Sequence, residues 1–556
     1  MRSLIAKNSL LVALLLSFLS AFAQEEDNKL RTSFEIVKSA PIELPPANRN
    51  FEKITYQPPK SAYKPQQYNT TKDVGIRLPK LDSKIQILTL KPLPLKPLYG
   101  NYIKVGAGNY GTAYADVFLN NKRSDQFSYG IHLKQLSSAH GPVDKSNSGV
   151  SNTSAEGYVR YYMGNVVLSG DMGYYRNRYN YYGYNNGSPV NMDTINQSTL
   201  KLLYNTFHVN VGLQNINQDA AFKYNANLGY YNISNNRSSS ESEVLLTNSS
   251  TYTIDQTKSI QSSSTLSVTQ YKADSHSINR DFYQVKPKFV MQAEKYILRA
   301  GVNVAYTNDT VNTKLHIYPS VNVDYMLMDK TVIAFVGVDG EMQKNTFRSF
   351  VAQNPFLQNN VPLLHTNKAL ELYAGLKGNL TQRVNYKAQL SYLSYKYLSF
   401  FNNNFASDAS KFNILYARGT STVVNFNAEL TYEQSERFRF GALVNSYSYN
   451  VSSDVGQALQ RPTFTTTLLA TYNIQKKIFF NANIYYISGL KAENTVNKQM
   501  IGMPNITDVS VKVDYQISNV FSAFVEFNNI LSKKYQRYLY YSVKGFNTIA
   551  GLSYSF

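Results

Sequence analysis

Chemistry needs reactive side chains at a useful spacing, and this sequence offers few. The six histidines are His132, His140, His208, His276, His316 and His365, and no two lie at the i, i+4 spacing that puts two ligands on one helix face. We expect them as lumen or loop residues. There is no cysteine, which removes thiolate metal sites, disulfides and an N-terminal cysteine lipid anchor. The run Gly106-Ala107-Gly108-Asn109-Tyr110-Gly111 fits a dinucleotide-binding pattern, but that chemistry needs a helix N-terminus to receive the pyrophosphate. Residues Thr112 to Leu119 instead alternate like a second strand, so the glycines are expected in a hairpin turn. No serine, histidine and acid arrangement stands out. The expectation is a protein that is not an enzyme and that holds no cofactor or metal.

Tyrosine is the conspicuous residue, with 46 copies beside 29 phenylalanines and no tryptophan. Clusters occur at Tyr174, Tyr175, Tyr179, Tyr181, Tyr182 and Tyr184 and again at Tyr535, Tyr538, Tyr540 and Tyr541. Their first reading is an interfacial girdle, because amphipathic rings sit well where hydrocarbon meets water. A second reading makes them a stacking surface for sugar or peptide, with Arg176, Arg178 and Arg537 contacting anionic groups. The girdle is preferred because placement at strand ends already accounts for it.

The elements that must carry these residues are strands. From about Tyr99 onward, short segments alternate apolar and polar residues with period two and are separated by Asn, Gly, Ser, Asp and Lys clusters. Val509, Val511, Val513 and Tyr515 take one face of such a segment, and Asp508, Ser510, Lys512 and Asp514 take the other. Tight links such as Met163-Gly164-Asn165 and Gln475-Lys476-Lys477 alternate with long polar loops such as Ser137 to Asn152, Thr346 to Asn367 and Gly489 to Asn505. That asymmetry marks a transmembrane antiparallel β-barrel with short periplasmic turns and long extracellular loops, an all-β fold. The pattern predicts about 22 strands over residues 99–556. Two predicted strands, 196–215 and 411–433, are long enough to hide a turn.

Before the barrel, Arg2 and Lys7 precede an apolar run from Leu10 to Leu19 and then Ser20, Ala21, Phe22 and Ala23, the arrangement of a cleaved signal peptide over residues 1–23. The apolar run is shorter than the roughly 20 residues a helical span requires. Residues 24–98 contain 10 of the 18 prolines, which lack a donor and fix φ, so this segment is expected as an extended periplasmic arm and not a packed sheet. The formal charge is +20. For an exported chain that charge points to anionic lipid head groups, including lipopolysaccharide, or to polyanionic glycans, and not to nucleic acid.

The last segment is the most specific. Phe546, Thr548, Ala550, Leu552, Tyr554 and Phe556 share a face, and Gly551, Tyr554 and Phe556 fit a Gly-x-x-aromatic-x-aromatic ending that resembles the signal read by the outer-membrane assembly machinery. Ile549 departs from the polar residue usual two places before that glycine. The stretch Asn528-Asn529-Ile530-Leu531-Ser532-Lys533-Lys534-Tyr535, followed by Gly545, is similar to the segment before the last strand of TonB-dependent receptors, and Tyr99 to Asn121 resembles the opening hairpin of plug-less barrels in that superfamily. The resemblance implies a receptor-like outer-membrane barrel without a recognisable plug. It implies transport of an unidentified solute through a lumen occluded by loops or by the arm. The competing expectation is a structural or assembly subunit whose arm docks a periplasmic or surface lipoprotein partner.

Overall fold

Alternating segments can satisfy every backbone N–H and C=O inside hydrocarbon only by closing into a ring, and the chain does so. The computed structural model describes residues 100–556 apart from 123, 185–196, 275, 310–312, 329–330 and 495. The expected signal peptide and arm lie outside the described residues. Twenty-two antiparallel strands, from Asn101–Gly108 to Asn547–Ser555, form one sheet in which each strand pairs with its neighbours along the chain. The first and last strands also pair, Val105 with Leu552 and Ala107 with Ala550, so the sheet is a closed barrel.

Period two sends one face outward. Ile131, Met172, Val211, Leu228, Leu372 and Leu390 are exposed, and Ile317 is 65% exposed. Such a belt would be costly in water at about 25 cal/mol per Å², and it suits lipid. No helix among the described residues is long and apolar enough to cross a membrane. The opposite face is polar: Asp508, Lys512 and Asp514 pair across the sheet with Tyr485, Asn481 and Phe479, while Arg299 of Tyr296–Asn308 meets Asp324 of Thr313–Met328 at 2.9 Å.

The closing seam is tight on the lumen side. A Cβ on Gly551 would lie 2.0 Å from the Val105 carbonyl oxygen and 2.6 Å from the Phe524 ring, and one on Gly106 would lie 2.9 Å from that ring. Phe524 therefore lies across two strands that have no side chain at those positions. Lys104 Nζ sits 3.7 Å from the same ring centroid and 3.5 Å from Glu526. The predicted glycine-rich turn is present at Asn109–Gly111, where Tyr110 and Gly111 both have φ 59°. Two consecutive left-handed residues make the tight hairpin connection, and the segment opens no helix.

The strand count of 22 agrees with the sequence expectation, and both overlong segments did conceal a break. The described part of the first, residues 197–215, is a helical turn, Gln197–Leu200, followed by the strand Lys201–Asn215. Residues 411–433 divide into Asp408–Ala417, which pairs with Leu398–Asn404 in a separate hairpin, and the barrel strand Ser421–Ser435. Two more small hairpins, Lys491–Asn494 with Gln499–Gly502 and Gln536–Tyr538 with Tyr541–Ser542, and the helix Phe347–Gln353 also fill long connections at the same end of the barrel.

Candidate functional site

Four of the long connections follow the strands Val166–Asn180, Val332–Gln343, Val384–Lys396 and Phe521–Asn528, which are the fifth, thirteenth, fifteenth and twenty-first around the ring. Loops so far apart cannot meet along the wall. They meet across the barrel mouth, in a buried cluster that contains Tyr181, Phe347, Phe350, Phe356, Leu357, Phe412 and Tyr541. Phe356 stacks on Tyr541 with ring centroids 3.6 Å apart, and Tyr182 meets Tyr541 edge-on at 4.9 Å.

Tyrosine hydroxyls tie the loops together while their rings supply the apolar contact. Tyr204 donates to the Pro355 carbonyl at 2.8 Å, and Tyr182 donates to the Ser542 carbonyl at 3.0 Å. Tyr181, Tyr538 and Tyr541 donate to the carbonyls of Leu357, Gln353 and Ser410. Burial raises the pKa of Tyr181 and Tyr182 from the ordinary phenol value, and that of Tyr184 rises to about 12 through burial and its hydrogen bond to Asp144, so all three stay neutral donors.

The helix Phe347–Gln353 is held from both ends of its sequence logic. Thr346 caps it, accepting from the Ser349 N–H at 3.0 Å while Ser349 Oγ accepts from the Thr346 N–H at 2.9 Å. Glu241, on the inner wall, accepts from the N–H groups of Phe347 and Arg348 at 2.6 and 3.0 Å, the carboxylate that a helix start favours. Glu243 beside it pairs with Lys344 and with Arg348, the latter at 2.6 Å.

A second anchor is wholly buried. Arg280 donates through Nε to Asp309 at 3.0 Å, through Nη1 to the Asn345 carbonyl at 2.7 Å, and through Nη2 to the His365 ring at 3.1 Å. Asp309 also accepts the His365 N–H at 2.7 Å. Burial and the neighbouring Arg280 charge hold the His365 pKa well below the usual imidazole range. The neutral ring is the form that can accept from a guanidinium.

Below this cluster the inner wall carries paired charges. Lys286 and Lys368 meet Glu341 at 2.7 and 3.2 Å, and Lys377 meets Asp324 at 3.0 Å. An open recess of about 450 Å³, lined by residues including Lys288, Arg299, Asp324, Glu371, Tyr373 and Lys387, lies against this wall. His132 contacts Asp116 at 2.8 Å and His208 contacts Asp171 at 3.1 Å, each within the wall. Among the described residues no group of three or more His, Asp or Glu is arranged to hold a metal.

The structure separates the residues that the sequence grouped. Tyr181, Tyr182 and Tyr184, favoured as girdle residues, are packed into or against the loop cluster, as are Tyr179 and Tyr538; loop packing, not the bilayer interface, claims these rings. Tyr540 packs on Phe405 in a neighbouring cluster. Tyr174 is exposed, Arg176 is exposed and Arg178 is half-buried on the same strand. In the last strand Tyr554 and Phe556 are exposed on the outer face and stack at 5.5 Å, whereas Gly551 lies under Phe524. Sequence reasoning missed Arg280, Asp309, Glu241 and Glu243; the one available signal was charge at inward positions near strand ends.

No protein-family model matches this sequence, and no curated protein does. Solved structures do match the fold. The FrpB iron transporter from Neisseria meningitidis superposes with a TM-score of 0.66 at 9% identity, over 83% of this chain and 82% of its own. FpvA of P. aeruginosa, solved with bound pyoverdine, gives 0.62 at 12% identity over 82% and 72% of the two chains. The copper transporter OprC gives 0.60 at 12% identity over 83% and 82%. The chain, a closed 22-strand barrel, therefore shares the fold of these solved proteins.

Proposed function

We propose that this chain is exported by a signal peptide over residues 1–23 and works in the outer membrane as a receptor or transport-type barrel for an unidentified solute, with its lumen closed on the outer side by its own loops. The observation that carries the reading is the shared buried core of loops that begin on distant strands. A ring this wide needs a filling to be a barrier. Here the loops would provide it from outside, and residues 24–98 would form a periplasmic arm. The fold likeness to an iron transporter, a pyoverdine-bound protein and a copper transporter supports a transport role.

Planar-bilayer recording of the purified full chain tests closure. The expected record is quiet, with brief openings that lengthen when loop contacts such as Tyr541 to Ser410 are removed. A large, permanently open conductance in the wild-type protein would overturn it. Deleting residues 24–98 separates transport from the scaffold reading: altered uptake or leakage supports the former, and lost co-purifying partners with unchanged uptake supports the latter.

A further inference from the structure

Inside the barrel and at its mouth, the buried basic side chains described above have acidic partners. Two arginines at the mouth stand outside that pattern. Arg461, in the loop after the strand Phe438–Asn450, spends Nε and Nη2 on the Ser399 carbonyl at 3.2 and 2.8 Å, with its guanidinium 5.2 Å from the Phe400 ring centroid. Arg537, in the hairpin Gln536–Tyr538 with Tyr541–Ser542, donates from Nη1 to the Gln460 carbonyl at 3.3 Å and lies 5.1 Å from the Tyr538 ring. Neither forms an ion pair with a carboxylate among the described residues. The titratable groups that act most strongly on Arg461 are the phenols of Tyr395, Tyr447 and Tyr449, together with Arg537 itself.

Gln460 joins the two arginines. Its N–H donates to the Lys491 carbonyl at 2.7 Å, its carbonyl accepts from Arg537, and it directly precedes Arg461. The side chain is only 3% exposed, and both atoms of its amide are buried without a protein partner among the described residues. A buried donor and acceptor left open are costly, because each has given up water without gaining a partner. Two like charges held close, without an acid to offset them, add to that cost. Two guanidinium groups and a free amide form a donor set that suits an oxyanion, because a guanidinium can offer parallel N–H groups to two oxygens.

We propose that Arg461, Arg537 and Gln460 form a binding site for an oxyanion group, carboxylate or phosphate, on a solute arriving from the loop side. The proposal rests on the reading of the loop end as the mouth of a solute-binding barrel, and it adds the chemical class of that solute.

Calorimetric titration of the detergent-solubilised full chain with pyrophosphate and with citrate, at low ionic strength so that screening does not mask the site, tests it. The expected result is saturable one-to-one binding of at least one probe, weakened about tenfold or more in both Arg461→Gln and Arg537→Gln. Arg461→Lys, which keeps the charge but loses the fork, is expected to weaken it as well. Lys476→Gln, at an exposed turn on the opposite end, should bind like wild type. Arg461 also ties its loop to Ser399, so heat-modifiable electrophoresis checks folding, and Arg537→Gln decides the matter if Arg461→Gln fails to fold. Absence of saturable binding to wild type, or equal binding by Arg537→Gln, overturns the proposal. An open wild-type pore that still binds anion removes only the closure reading, whereas a closed pore that binds neither probe removes only this one.

Discussion

Arg280 and Asp309 form an ion pair at 2.9 Å in which neither side chain is more than 6% exposed. Arg280 stands on the strand His276–Gln292 and Asp309 directly follows the strand Tyr296–Asn308, and His365 and Asn345 join them from the loop that holds the helix. Each member of such a pair depends on the other, because removing one leaves the other as an uncompensated buried charge.

Replacing Arg280 with Met leaves Asp309 buried without its guanidinium, a loss of about 3–5 kcal/mol. The ring of strands is expected to persist, and the loop over residues 344–365 to open. Hydrogen exchange in that loop should accelerate by about a hundredfold or more, since each 1.4 kcal/mol is about tenfold. Unchanged exchange would show that the pair does not hold the loop.

Acid should loosen the same loop. The folded pKa of His365 lies below its open-state value of about 6.5, so as pH falls through that value the open loop binds a proton that the closed loop refuses. Loop stability is then full above about pH 6.5 and is lost below it, by up to about 1.4 kcal/mol per pH unit until the folded pKa is reached. Limited proteolysis between residues 344 and 365 should therefore quicken as pH falls from neutral, and His365→Gln should flatten that dependence.

The seam makes a paired prediction about glycine. A Cβ at Gly106 would lie 2.9 Å from both the Phe524 ring and the Ala550 carbonyl oxygen, so Gly106→Ala combined with Phe524→Leu keeps only a marginal backbone contact and should fold. A Cβ at Gly551 would lie 2.0 Å from the Val105 carbonyl oxygen, a far closer approach, and Gly551→Ala should not be rescued by that change. Heat-modifiable migration of refolded protein distinguishes the two; equal rescue would mean that the strands can part at the seam.

Truncating Tyr541 to Ala removes the ring stacked on Phe356 and the hydroxyl donated to Ser410. By the range for large-to-small aromatic changes the cost is about 3–5 kcal/mol. Liposome swelling with small sugars should be faster in this variant than in wild type, and Tyr541→Phe should fall between them.

The barrel was legible because alternation is local: Val509 to Tyr515 announces an outward face without reference to any other strand. The hairpin Asp408–Ala417 misled for the same reason. Phe412, Ile414 and Tyr416 alternate as a membrane strand does, yet they face the loop core. The direction of Tyr181 and Tyr182 was not legible, because past the last ladder pair the pleat no longer dictates where a side chain points. Nor was the contact between Arg280 and His365, 85 residues apart, which exists only because the ring brings the loop that carries His365 over the strand that carries Arg280.

The pairing of Val105 with Leu552 sets an order of events. Asn101–Gly108 emerges first among the described strands, and its second neighbour is Asn547–Ser555, so one row of backbone donors and acceptors stays raw until that strand is delivered. A single pairing therefore conceals two raw margins at once, and a ring lacking either strand would present both to any passing chain.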